Sequence, residues 1–406
     1  MALLNLNPKY FVRLHRSNLR SILRSSLQAL LAGAALCMMF ASMPVAAQQL
    51  PSADLPVAGD SPDTEGPLAK DLSPEFKKPE VTKALRKVAD WQLTRAQVQY
   101  SPDWTFAALY AGFMAVPPAV NGSKYQDAMQ DMGRKLDWQL GARPDFADDH
   151  AVGQTYLELY EKLQDPAMLA PTQHRMENLI QRVDDPKMPL WWWCDALFMA
   201  PPALADLAKI SGDRKYLDYM NHEWWITSDL LYDPQIHLYS RDATYLEKHE
   251  ENGTKLFWAR GNGWVIAGLA RVLEVMPVDY PDRPRYIHQY QEMAKAIANI
   301  QGPDGLWRPG LLDPNAYPLP EVSGSAFNTY AVAWGIHAGI LNRKEYLPVV
   351  KKAWAGLLTH IYQDGRLGCI QPIGAAPGQF KPTSSYVYGV GAFLLAGSEI
   401  YNLAKN

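Results

Sequence analysis

Cysteine is scarce in this chain. Its three copies in 406 residues, Cys37, Cys194 and Cys369, exclude a disulfide framework. The chain also lacks a Gly-rich phosphate loop, an HExxH pair, a G-x-S-x-G elbow and any Cys/His cluster at metal spacing, so nucleotide hydrolysis, zinc proteolysis and serine-hydrolase chemistry are without their parts. No cofactor and no metal is expected. An excess of positive charge is missing too. Five basic residues and no acids fall in residues 1–47, and the remainder carries 34 Lys and Arg against 42 Asp and Glu, which argues against nucleic acid or another polyanion as partner.

Those first 47 residues read as a cleaved secretory signal. Lys9, Arg13, Arg16, Arg20 and Arg24 precede an uncharged apolar run from Ala29 to Met43, and Val45, Ala46 and Ala47 suit signal peptidase. The run is shorter than the roughly 20 residues of a membrane span, which disfavours a permanent anchor. Cys37 follows Leu36, so the small residue that a lipoprotein signal needs is missing. Export with cleavage after Ala47 is expected, with the periplasm as destination. Residues 48–80 hold Pro51, Pro56, Pro62, Pro67, Pro74 and Pro79 among Ser, Asp and Gly and read as a tether.

What is abundant begins at Val81. From there the apolar residues recur at helical spacing almost to the end, in two alternating kinds of segment. Residues 81–95, 122–139, 169–183, 213–230, 282–301 and 344–361 are amphipathic. Residues 104–118, 149–163, 195–210, 262–275, 325–341 and 384–403 are apolar on nearly all sides. A helix apolar all round must be buried, and a striped one covers it. Six of each, strictly alternating, predict an all-α fold: an (α/α)6 barrel, a toroid of six helical hairpins over residues 81–406. Internal echoes such as FMAVPPAVNGSKY (113–125) and FMAPPALADLAKISGDRKY (198–216) make one hairpin the repeating unit.

In such a toroid the inner helices run one way, so the residues that open them gather at one mouth. These are Asp103, Asp148-Asp149-His150, Trp193-Cys194-Asp195, Arg260 to Trp264, Ser323-Gly324-Ser325 and Thr383-Ser384-Ser385. The run WWWCDALFMAPP stands out, because it delivers one carboxylate, Asp195, inside an aromatic wall where a carboxylic acid can donate a proton near neutrality. Asp before an apolar run is equally an ordinary helix cap. Arg260 sits at the positive end of a helix, against the dipole. That placement points to an anionic ligand, and an ion pair with Asp149 or Asp195 would serve equally. His150 and His237 stand alone and read first as satisfied structural histidines, although His150 adjoins an acid of the mouth and is counted among its possible substrate contacts. Acids, an arginine, hydroxyls and tryptophans (13 in the chain) around one depression are the inventory of a carbohydrate-processing site. An inverting glycosidase using an Asp pair, a sugar epimerase or lyase, and a sugar-binding protein without activity all fit that inventory.

WCDALFMAPPALADLAKISGDRKYLDY, FWARGNGWVIAGLARVLE, EVSGSAFNTYAVAWGI and YGVGAFLLAGSEIY resemble the characteristic blocks of the unsaturated uronyl hydrolases, glycoside hydrolase families 88 and 105, and most those of the second. The resemblance implies hydration of the C4=C5 enol ether that polysaccharide lyases leave at a nonreducing end, with an unsaturated oligosaccharide as the partner. It casts Asp195 as the acid that protonates C4 and Asp149 as a second pocket carboxylate. Arg260 and Trp264 become substrate contacts. From its place against the dipole, Arg260 is expected to hold the uronate carboxylate with help from Ser323 or Ser325, and Trp193 is expected among the substrate contacts. Where many members carry a histidine, this chain has LYSRDATY at 238–245, and Arg241 with Asp242 is expected to take that place.

Overall fold

The computed structural model describes residues 58–183 and 189–406. The expected signal and the first part of the expected tether lie outside the described residues. Twelve principal helices form among those that are described. The inner six are α2 (Trp104–Ala115), α4 (Val152–Leu163), α6 (Pro201–Ser211, preceded by a turn at Ala196–Met199), α8 (Ala259–Val275), α10 (Val322–His337) and α12 (Val387–Leu403). The outer six are α1 (Lys78–Ala96), α3 (Lys124–Lys135), α5 (Pro166–Leu179), α7 (Lys215–Leu231), α9 (Arg283–Asn299) and α11 (Arg343–Leu358). Each inner helix packs on the next, and α12 packs back on α2, which closes the ring. Each outer helix lies against an inner one, with α1 against α12. The six-hairpin toroid is therefore the fold. No helix among the described residues is long and apolar enough to cross a membrane.

The two kinds of helix behave as their patterns dictate. Nearly every residue of α10, including Phe327, Tyr330 and Trp334, is buried, whereas α3 buries only Tyr125, Met129, Met132 and Gly133. Glycine lets the inner ring close: a Cβ at Gly391 of α12 would lie 2.1 Å from the carbonyl oxygen of Ala108 in α2, and Gly112 answers from the other side. Backbones meet there with no room for a methyl group.

The proline-rich stretch departs from the tether expectation over its described part. Ser61 and Ser385 exchange backbone hydrogen bonds of 2.9 and 3.2 Å, and Asp60 Oδ1 accepts from the Val387 amide at 3.0 Å, which caps α12. Pro79 occupies the first turn of α1, where its missing N–H costs nothing, so the helix starts at Lys78 rather than Val81. A short hairpin, β1 (Tyr232–Asp233) with β2 (Leu238–Tyr239), is the only named sheet among the described residues. It carries the loop that holds Arg241.

Candidate active site

The mouth at the N-terminal ends of the inner helices is organised around Asp195. Its carboxylate makes no capping hydrogen bond to the turn that follows, which disposes of the helix-cap reading. The loop after β2 is clamped to the tryptophan run instead: Trp193 and Asp242 form a β-bridge, and the Cys194 amide donates to the Arg241 carbonyl at 2.8 Å. This brings Arg241 Nε to 3.7 Å from Asp195 Oδ2, with both side chains about seven-eighths buried. Arg241 Nη1 also donates to Asp242 Oδ2 at 2.6 Å, and its guanidinium lies 5.4 Å from the Trp192 ring centre. A Cβ on Gly261, in the first turn of α8, would come within 3.7 Å of Asp195 Oδ1, so the glycine keeps the approach to the carboxylate clear.

Burial lifts Asp195 above the ordinary carboxylate range, while the charges of Arg241 and Arg260 pull it back. Asp242 is also pushed up by burial, but the hydroxyl and amide of Thr244 together with Arg241 more than offset this and hold it below the usual range. The two acidic partners of Arg241 are thus shifted in opposite directions. Burial raises the Cys194 thiol well above its usual range, as expected of a buried structural cysteine.

The second carboxylate expected from sequence, Asp149, is held by a neighbouring arginine. Asp149 is occupied: Oδ2 accepts from the Arg143 backbone amide (2.6 Å) and Nε (3.1 Å), and Oδ1 accepts from Nη2 at 2.6 Å. Its neighbour Asp148 feels the charge of Asp195. Burial first, and then that charge, push Asp148 up to about 8, against the pull of Arg143. Both residues sit in a 3-10 turn, Ala147–His150, where successive side chains point about 120° apart. One carboxylate therefore faces the loop that carries Arg143, and the other is coupled across the mouth to Asp195.

Six further expected contacts are engaged within the protein. Arg260 is 1% exposed and donates Nη1 to the Gln371 carbonyl and Nη2 to that of Pro372, each at 2.7 Å, with Glu321 3.9 Å from Nη1. Its nearest acid is Glu321 at the N-terminus of α10, its charge also acts on Asp195, and its Nε is buried without a hydrogen bond. Trp264 is 1% exposed and packs on Phe327 with ring centres 4.1 Å apart, so it offers no face to a sugar. Ser323 Oγ donates to Glu321 Oε1 at 2.7 Å, and Ser325 Oγ accepts from the Trp307 amide at 2.9 Å; both hydroxyls serve the start of α10. His150 is fully buried, donates Nε2 to the Pro144 carbonyl at 2.7 Å, and is held neutral by burial with its pKa pushed down to about 4. His237 is the structural residue expected, with Nδ1 3.1 Å from the Tyr232 hydroxyl. Trp193 is 3% exposed and stacks on Phe146 at 4.6 Å, which leaves half-buried Trp192 as the tryptophan of the run with an open face.

The bonds of Arg260 to two carbonyls give it a structural load. Arg260→Lys keeps the charge but loses the planar fork that spans the carbonyls of Gln371 and Pro372. A cost of about 2–4 kcal/mol in stability is expected, to be read by thermal denaturation. A stable variant whose only defect is in turnover would return Arg260 to the substrate.

The far mouth has a different character. A cavity of about 300 Å³ there is lined by the C-terminal ends of the inner helices, Glu158, Asp206, Arg271 and Glu274 among them. Its charges answer one another, Glu158 with Arg271 and Glu161 with Lys209, and no stacked tryptophans wall it.

The sequence and the fold are shared with known proteins. The model described as Glycosyl Hydrolase Family 88 matches residues 75–404. An unsaturated 3S-rhamnoglycuronyl hydrolase of Formosa agariphila is 38% identical over 345 residues, covering 80% of this chain and 92% of that one. A protein of the same name from Alteromonas sp. is 33% identical over 77% of this chain and 83% of its own. Among solved structures, a glycosyl hydrolase family 88 protein from Bacteroides vulgatus superposes with a TM-score of 0.76 at 33% identity, covering 80% of this chain and 99% of that one.

Proposed function

The chain belongs to glycosyl hydrolase family 88 and is an unsaturated uronyl hydrolase, and from that premise we propose that Asp195, Asp148 and Arg241 carry the reaction. The substrate is an oligosaccharide bearing a 4-deoxy-hex-4-enuronosyl residue at its nonreducing end. On its leaving side we place a rhamnose with a 3-sulfate, the sugar named in the two relatives. The observation that carries the reading is the buried, uncapped carboxylate of Asp195 set 3.7 Å from Arg241.

The geometry gives each group a task. Arg241 has its Nε buried and without a hydrogen bond, so an incoming uronate carboxylate finds a donor there. Binding it weakens the hold of Arg241 on Asp195 and adds a negative charge beside that acid, and both effects favour the protonated form. Asp148, which retains a proton up to about pH 8, is the nearby reservoir. Asp195 then gives its proton to C4, and water loses a proton to the acid pair as its oxygen bonds to C5. The C4=C5 double bond becomes a C4–H and a C5–OH, and the hemiketal opens to a 5-keto uronate and the freed sugar. Trp192 offers the ring face for stacking.

Loss of the enol ether's ultraviolet absorbance during incubation with lyase-digested sulfated polysaccharide tests the reaction. A lyase would make that chromophore and an ordinary glycosidase would leave it in place; either result overturns the proposal. We also propose export. Material recovered from the periplasm should begin at Gln48, and a mature protein still starting near Met1 in the membrane fraction would refute it.

A further inference from the structure

Arg143 is left over once the acids have been given their tasks. Its side chain is 53% exposed and lies on the loop that precedes the Ala147–His150 turn. It is also held unusually firmly for a rim residue. Asp149 takes Nε, Nη2 and the backbone amide of the same residue. The guanidinium carbon lies over the Phe146 ring, 3.8 Å from its centre, and Phe146 in turn stacks on Trp193, two residues before Asp195. Arg175 fixes the loop from behind by donating to the carbonyls of Gly141 and Arg143 at 2.9 and 3.2 Å. Nη1 makes no hydrogen bond among the described residues, although every other part of the fork is engaged. The result is a cation whose rotamer is set in advance, with one edge facing solvent at the mouth and its charge acting on Asp148.

A surface arginine kept only for an ion pair needs no such scaffold, since exposed pairs contribute about 0–1 kcal/mol. Holding a long side chain in one rotamer costs entropy, and that cost is repaid when a planar donor edge meets an anion without further ordering. The anion in question is not the uronate carboxylate, because Arg241 lies 3.7 Å from Asp195 and is far less exposed, whereas Arg143 is not among the charges that act on Asp195. Arg143 is the more exposed of the two, and its charge acts on Asp148 rather than on Asp195.

We propose that Arg143 is a specificity-determining residue that recognises a sulfate ester on the leaving-side sugar. This rests on the reading of the pocket as an unsaturated uronyl site with a sulfated leaving group, and it adds the residue that makes the distinction. The open Nη1 edge, with Nη2 shared, donates to two sulfate oxygens, while Asp149 and Phe146 keep the fork in place. A sugar without the ester forgoes those bonds and loses nothing else.

The test compares two disaccharides, unsaturated glucuronyl-rhamnose with and without the 3-sulfate, in the wild type and in Arg143→Gln. Gln keeps a planar amide to lie on Phe146 and donate to Asp149, but lacks the charge. The KM for the sulfated disaccharide is expected to rise about 10- to 30-fold with kcat within about 3-fold, while both constants for the unsulfated sugar stay within about 3-fold. Inorganic sulfate should compete with the sulfated substrate in the wild type and fail to do so in the variant. An equal change on both disaccharides, or on neither, overturns the assignment. Should Arg143→Gln fail to fold, Arg143→Lys carries the same readout, since a single ammonium keeps the pair with Asp149 but not the two-point edge. Wild-type protein that consumes both disaccharides with the same KM sinks the role of Arg143 alone. Wild-type protein that consumes neither sinks the leaving-group reading beneath it.

Discussion

Asp195→Asn is expected to slow enol-ether hydration by a factor on the order of 100 to 10,000, the range for losing a positioned general acid, and to leave the fold intact. The two side chains have the same shape, and the wild-type carboxylate makes no capping bond that Asn would have to replace. The electrostatics favour the variant: burial already opposes the charged form of Asp195, so removing the ionisable group relieves a desolvation cost. Thermal denaturation at neutral pH should therefore show equal or higher stability. Substrate should still bind, because Arg241 and Trp192 are untouched. Loss of the ultraviolet signal in single-turnover mixtures, together with retained binding by calorimetry, checks both halves. Near wild-type turnover by folded Asp195→Asn protein would remove Asp195 from the chemistry.

Elements whose partners lie nearby in sequence were legible before any coordinates. The alternation of striped and wholly apolar segments is a direct consequence of two concentric layers, and it located all twelve helices. The mouth was legible for the same reason, since parallel inner helices must open on one side. Legibility failed where a side chain's partner comes from a distant part of the chain. Arg260 against the helix dipole was a sound signal of a nearby anion, and the nearest one is Glu321, which caps another helix and reaches both Ser323 and Gly324. Nothing local to Arg260 indicates that. The same carboxylate accepts from the Ser323 hydroxyl, so one residue, distant in sequence from Arg260, holds both. Trp264 is different, because the signal was present: it sits within α8, whose residues are apolar on almost every side, and such a residue belongs to the core. Asp60 and the strap around Ser61 show the opposite failure. Prolines that preclude a helix do not preclude packing, and the segment contributes its backbone and one carboxylate to the start of α12.

The exchange of Asp149 for Asp148 yields the other large prediction. Asp148→Asn is expected to lower kcat on the order of 100-fold, because the pocket loses the group that holds a proton at neutral pH. Asp149→Asn, which leaves that group in place and only loosens the hold on Arg143, should cost less than about 10-fold. The pH profile separates a chemical role from a structural one. In the wild type the alkaline limb should fall as Asp148 titrates, near pH 8. In Asp148→Asn the proton must come from Asp195 alone, whose own rise is opposed by Arg241 and Arg260, so the limb should move to lower pH. Stability supplies a second, independent sign. The folded pKa of Asp148 lies above its unfolded value of 3.8, so between those values the native state binds more protons than the unfolded one and stability falls as pH rises. The contribution is fully present below pH 3.8 and lost by about pH 8. Asp148→Asn should therefore be more stable than the wild type at pH 9, and the gap should close as the pH is lowered toward 4. Denaturation midpoints at pH 9, 7 and 4 measure it. A variant with an unmoved alkaline limb and no pH-dependent gain in stability would mean that Asp148 is not the coupled partner of Asp195, and rate loss confined to Asp149→Asn would restore the other acid of the turn.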